Sequence, residues 1–249
     1  MPPLPDFHAA GTPCAGVEIP VPFAMVPGSA ALDFVFRMHR THPDAHAVIL
    51  AAPDNLVTQF EVFADMPPAD LSLARAAGLT VESWLAEKAA MQARFEQAHP
   101  DLAGDVPGPE RGPWPDAADP QRGFMGVRDI LTGQHLPEVV VALSPAPVAQ
   151  WWETSAHLRF GGWNDCPDPA VHVLLHRIWA EKYGARLVTM AFDVIELQIT
   201  RPIRTREEAL EVAALQYAYC SDIVDQGEGT LENLAASLID ATSWYFWWD

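Results

Sequence analysis

Apolar residues recur along this chain at two different periods, and the switches between them predict its elements. Behind Ser29, the helical spacing of Leu32, Val35, Phe36 and His39 predicts a helix to about Thr41 with Ser29 as its cap. The unbroken apolar run at 47–51 predicts a strand buried on both faces, and the alternation at 59–63 predicts a half-exposed one. Asp70 opens a short helix that Gly78 ends. Thr80 starts another that runs to about Ala98, with Val81, Trp84, Leu85, Met91 and Phe95 inward. Lys88 falls in that stripe, where its stem can follow the packed face while the ammonium stays in water; a catalytic lysine is the competing reading.

The second half alternates in the same way. Residues 138–143 read as a buried strand, and Pro145 with Pro147 starts a short helix carrying Trp151 and Trp152. Asp168 is an N-cap with Pro169 in the first helical position, and Gly184 is a left-handed stop after Tyr183. Val171, Leu174, Leu175, Ile178 and Trp179 make that helix's buried stripe. The β-rich runs 187–191 and 194–199 are separated only by Phe192-Asp193, which predicts a tight hairpin or a bent strand. Thr205-Arg206-Glu207-Glu208 is a capping box, and Leu210, Ala213, Ala214, Tyr217 and Ala218 are the inward set of the helix it opens. Thr230 caps a last helix with Leu231, Leu234, Ala235, Leu238 and Ile239 inward. The closing run Trp244-Tyr245-Phe246-Trp247-Trp248 is a strand expected inside the sheet, because a strand at an open edge would be poorly held.

Prolines and glycines divide these elements. Seven prolines among residues 1–27 predict a lead-in arm with short extended pieces at 17–19 and 23–26. Ten of the 24 residues at 100–123 are Pro or Gly, which marks a linker; Trp114 within it is expected to lie against a domain surface. The predicted fold is therefore α/β (α+β), a mixed sheet covered by helices. It has two helix–strand–strand–helix lobes: 1–99 with the proline-rich arm, and 124–249 beyond the linker, a single merged sheet being the alternative. A shift of 139 residues sets 31–54 beside 170–193 without a gap, which an internal duplication or two generic helix–strand units would explain equally.

Composition changes the picture on the side of function. Fifteen basic against 33 acidic residues give a net charge of −18, which disfavours nucleic acid and anionic membranes and favours a basic protein partner. No apolar run approaches the roughly 20 residues of a membrane span. Cys14, Cys166 and Cys220 are odd in number and far apart, and no secretory leader is read at Met1-Pro2-Pro3-Leu4, so a reduced cytoplasm is expected.

Candidate chemistry centres on Gly161-Gly162-Trp163-Asn164-Asp165-Cys166-Pro167. Cys166 stands close to a helix N-terminus that favours a thiolate, and His172 lies one turn into that helix as a base, with Asn164 or Asp222 to orient it. The structural alternative is a buried cysteine locking a turn. His172 and His176, four apart, have metal-ligand spacing, but both fall at the boundary of the apolar stripe, and no metal is assigned. Asp222, Asp225 and Glu228 offer oxygens without the spacing of a calcium loop. Trp163, Asn164, Asp165, Arg201 and Arg204 are the candidate binding residues; Arg201, Arg204 and Arg206 either pair with local acids or take an anion. Walker, dinucleotide, GxSxG and HExxH patterns do not occur, so no cofactor is assigned.

The C-terminal half resembles the bacterial domain-of-unknown-function family 4253. The resemblance is carried by the Gly161-to-Pro167 string, Tyr183-Gly184-Ala185, Arg201-Pro202 with Thr205-Arg206-Glu207-Glu208-Ala209, Tyr219-Cys220-Ser221-Asp222-Ile223-Val224, Gln226-Gly227 with Gly229-Thr230, and the closing aromatic run, over about 138–249. It implies no activity, cofactor or catalytic residue. Two functions therefore stand: a non-enzymatic cytosolic module that neutralises or escorts a basic protein, and a small hydrolase or transferase using Cys166 and His172.

Overall fold

The computed structural model describes residues 6–101, 108–143 and 150–249. The helix start expected at Pro145 and Pro147, the first five residues of the arm and Pro107 lie outside them. The proline-rich start enters the fold directly. Strands β1 (Thr12–Cys14) and β2 (Val17–Ile19) form a hairpin, and β3 (Phe23–Val26) joins the main sheet with Phe23 and Ala24 buried. Helix α1 (Gly28–Thr41) leads to β4 (Val48–Ala51), which is buried along its whole length. Helices α2 (Leu56–Phe63), α3 (Ala69–Gly78) and α4 (Val81–Ala98) follow. Beyond the linker come β5 (Val139–Ala142), the short α5 (Thr154–His157), α6 (Pro169–Tyr183), and the hairpin of β6 (Arg186–Met190) with β7 (Val194–Gln198). Helix α7 (Arg206–Tyr219), a π-helical turn at Ile223–Glu228, α8 (Leu231–Leu238) and β8 (Ser243–Trp247) complete the chain.

Of the one-sheet and two-sheet arrangements left open by the sequence, the structure has one. Its order is β3-β5-β4-β6-β7-β8, mixed because β4 and β6 run parallel while the other neighbours are antiparallel. Successive strand residues point to opposite faces, so two cores form. Val48, Leu50, Val140, Leu187, Ile195, Leu197, Trp244 and Phe246 pack under α6, α7 and α8. Ile49, Val139, Val141 and Val188 pack against Ala31, Phe34, Val35 and Met38 of α1. Helices α1 and α6 thus cover opposite faces, and the likeness of 31–54 to 170–193 finds no equivalent placement that would support a duplication.

Several expectations are corrected. Residues 59–63 are helical. The polar residue that suggested alternation, Gln59, is fully buried and donates its amide to Met190 O at 3.1 Å, so polarity there does not mark solvent. Helix α1 starts at Gly28 with no side-chain cap; Gly28 is needed because a Cβ would overlap the Leu136 carbonyl. In α4 the Thr80 cap forms as a box with Ser83, but only Trp84 is buried, while Leu85, Met91 and Phe95 are exposed. The inward face of α7 is Ala209, Val212, Ala213, Gln216 and Tyr219, one position away from the expected stripe, because the bulky Tyr219 anchors it. Strand β8 lies at the sheet's edge, not inside it. That edge is covered: Gln121 O accepts from Thr242 and Ser243, the Cys220 thiol donates to Trp247 O, and Asp222 accepts from the Asp249 amide.

The described linker residues 108–123 lie along a surface, as Trp114 suggests. Glu110 O accepts from Leu231 N, Glu232 accepts from Arg111 and the Gly112 amide, and the Arg206 guanidinium sits 4.4 Å over the Trp114 ring. No helix among the described residues is long and apolar enough to cross a membrane.

Candidate functional site around Cys166

The site begins with the α6 N-terminus. Asp168 caps it, its carboxylate accepting from the Ala170 amide at 2.9 Å, and Pro169 takes the first helical position. Upstream, Gly161 and Gly162 have φ of +110° and +82°. A Cβ on Gly161 would overlap Pro167 O and crowd His172 Nε2; one on Gly162 would overlap the Met66 sulfur. The loop is thus folded back onto the helix, with the Gly162 amide donating to the Cys166 and Pro167 carbonyls. This brings Cys166 Sγ to 3.6 Å from His172 Nε2.

The imidazole then leads inward. His172 Nδ1 is 2.5 Å from Tyr219 Oη, and Tyr219 Oη is 3.4 Å from His176 Nε2. All four residues are buried. The histidines do not ride the stripe boundary, as helical spacing suggests, because aromatic rings close over α6 there: Phe160 and Trp248 on His172, Trp151 and Trp179 on His176. Burial holds the His172 pKa down at about 3 and pushes His176 well below its ordinary value, the latter also through His172. Burial likewise pushes the Cys166 thiol and the Tyr219 phenol well up. Every member is neutral.

Each His172 ring nitrogen has one side-chain partner, Cys166 Sγ at Nε2 and Tyr219 Oη at Nδ1, and which of them donates follows the tautomer. With the hydrogen on Nδ1, Nε2 accepts from the Cys166 thiol and the Tyr219 hydroxyl donates to His176 Nε2. With it on Nε2, Nδ1 accepts from the Tyr219 hydroxyl, whose oxygen accepts from His176 Nε2. Cys166 also forms part of the wall of a cleft of about 310 Å³, with Trp84, Lys88 and Asp165 among the other lining residues.

Of the remaining candidates, Asn164 and Asp165 line the same cleft as Cys166, while the others bond elsewhere. Asp222 binds the Asp249 amide and Gln226, while both ring nitrogens of His172 have other partners. Trp163 stacks on Phe192 at 4.8 Å, and Asn164 donates to Asp249 O at 2.8 Å. Asp165 is 3.6 Å from Lys88 Nζ, which donates to Ala218 O at 2.8 Å. Arg201 donates to the Ala180, Glu181 and Lys182 carbonyls at the end of α6, and Arg204 pairs with Asp240. Asp225 accepts from Tyr217. Among the described residues no group of three or more His, Cys, Asp or Glu side chains is placed to hold a metal. Sequence reasoning missed Tyr219, the hub between the two histidines; its signal was its place in the unusual string Tyr219-Cys220-Ser221-Asp222.

Residues 142–249 match the sequence model of DUF4253, a domain of unknown function, and the chain carries that domain over those residues. The whole Cys166–His172–Tyr219–His176 chain lies inside it. No curated protein and no solved structure matches the chain.

Proposed function

We propose that this DUF4253-bearing protein is a non-enzymatic cytosolic binding module that neutralises or escorts a basic partner. The observation that carries the reading is the state of its best nucleophile: Cys166 is a buried thiol whose ionisation burial opposes, beside an imidazole whose own pKa burial holds down at about 3, so thiolate and imidazolium are both disfavoured. The charge balance supports it further. Arg75, Lys88, Arg111, Lys182 and Arg204 are spent in ion pairs within the fold, and Arg186 and Arg201 on backbone carbonyls. The net charge of −18 therefore faces outward and attracts a cationic surface over about a Debye length, roughly 8 Å at physiological salt. Capture of partners from the native cell by the tagged full chain at low salt, followed by a salt step, tests this. A basic protein that elutes with salt is expected; recovery of none contradicts the reading.

One observation favours a second function, a small hydrolase or transferase: Cys166 touches both His172 and the 310 Å³ cleft. Iodoacetamide at neutral pH separates the two. The binding reading expects Cys166 to label more slowly than a free thiol until the chain is unfolded, whereas rapid stoichiometric labelling of native protein would favour the nucleophile.

A further inference from the structure

A second cavity, of about 570 Å³, opens where β4 and β6 end. These two strands are the sheet's parallel pair, and crevices outside the carboxyl ends of parallel strands are where open α/β sheets take ligands. Ala51, which ends β4, and Asn55 beyond it form part of the wall, and Ala191 and Asp193 follow β6 into it. Tyr245 and Trp247 of β8 form another wall. They alternate with the buried Trp244, Phe246 and Trp248 and are themselves only half-buried. The size lies within the range of small-ligand sites.

The chemistry of the walls is aromatic and anionic. Glu196 is the cross-strand partner of Tyr245, and Asp193 lines the same cavity; the Tyr245 phenol is pushed up to about 12, by burial first and then by these two carboxylates. Glu196 is only 1% exposed, and its carboxylate accepts from the Met125 and Gly126 amides behind the cavity. Asp193 stands at the rim, its carboxyl raised by its surroundings and by Asp249, and it has no ion pair among the described residues. Arg128 is the one cation in the lining described, and it is turned aside, donating to Gly133 O at 2.8 Å. Flat rings beside unneutralised carboxylates suit a cation carried on an apolar stem.

We infer that this crevice receives an arginine or lysine side chain of the basic partner, its stem lying along Tyr245 and Trp247 and its charge meeting Asp193. The inference rests on the binding reading and gives it a place. The test follows acetyl-arginine-amide binding to the full chain by amide chemical shifts, against acetyl-citrulline-amide, the neutral isostere. Two variants accompany it: Asp193→Asn, and Glu211→Gln on the exposed side of α7, which keeps the same net charge change on the opposite face of the sheet. Expected are shifts at Asn55, Asp193 and Tyr245 with the arginine probe only, weakened about tenfold by Asp193→Asn, the order for one partly desolvated ion pair, and little changed by Glu211→Gln. Equal response to the citrulline probe, equal loss in both variants, or shifts confined elsewhere would overturn the crevice. A salt-sensitive partner captured equally by wild type and Asp193→Asn would overturn it too while leaving the binding reading intact. Arginine binding that depends on Asp193, with no partner captured, would instead uphold the crevice and remove the binding reading.

Discussion

Tyr219 is a phenol with a histidine on each side, and it shows how much one residue can specify. Its hydroxyl bridges His172 Nδ1 and His176 Nε2, so two imidazoles are buried without charge. That neutrality is a stability term with a definite sign. The His172 pKa is about 3 in the fold against an ordinary 6.5, so its contribution is complete above 6.5 and is lost as pH falls from 6.5 toward 3, where the unfolded chain binds the proton and the folded chain does not. In that window the loss approaches about 1.4 kcal/mol per pH unit for one such histidine. His176 acts in the same direction, and the raised Glu196 carboxyl in the opposite one. Urea midpoints at stepped pH for wild type and His172→Gln separate these. The variant's stability should fall less steeply below pH 6.5, and parallel curves would mean that the imidazole is not held neutral.

At the scale of elements, cap chemistry was legible and inward faces were less so. Asp168-Pro169 with Gly184, and Thr80, Thr205 and Thr230, mark helix ends where the structure has them, because a side-chain oxygen bonding a free amide is a local event. Which face turns inward depends on what lies opposite. Gln59 points inward because Met190 O is there to accept from it, whereas Met91 and Phe95 are exposed, Phe95 resting only on the His99 ring among the described aromatic contacts. The same reasoning explains how β8 holds an edge position. Trp244 meets Trp179 edge-on, Phe246 stacks on Trp179 at 5.3 Å and nearly parallel, and Trp248 packs on Tyr219. Each such aromatic pair adds on the order of 0.5–1.5 kcal/mol beyond the area it buries. Deleting residues 244–249 is expected to abolish the cooperative thermal transition in circular dichroism. A soluble truncated chain that still melts cooperatively would show that the core does not depend on these rings.

At the scale of the molecule, fold class was read from the alternation of helical and strand periods, while topology was not. No local pattern reports that β5 inserts between β3 and β4, or that β4 meets β6, since both depend on pairing across the linker. The candidate site was legible as far as Cys166 and His172, which lie six residues apart across the start of α6. Tyr219 and the crevice beneath Tyr245 are assembled by strands and helices distant in sequence, and only the fold brings them together. That arrangement also bears on how the chain reaches its native state. Val26 finds its partner in Val139 and Phe23 in Ala142, so the edge formed by β3 stays unpaired until a very long loop has closed. Because the entropy of such closures is lost before their contacts form, refolding should be slow for a protein of this length, and β3 should be among the last strands to gain protection from hydrogen exchange.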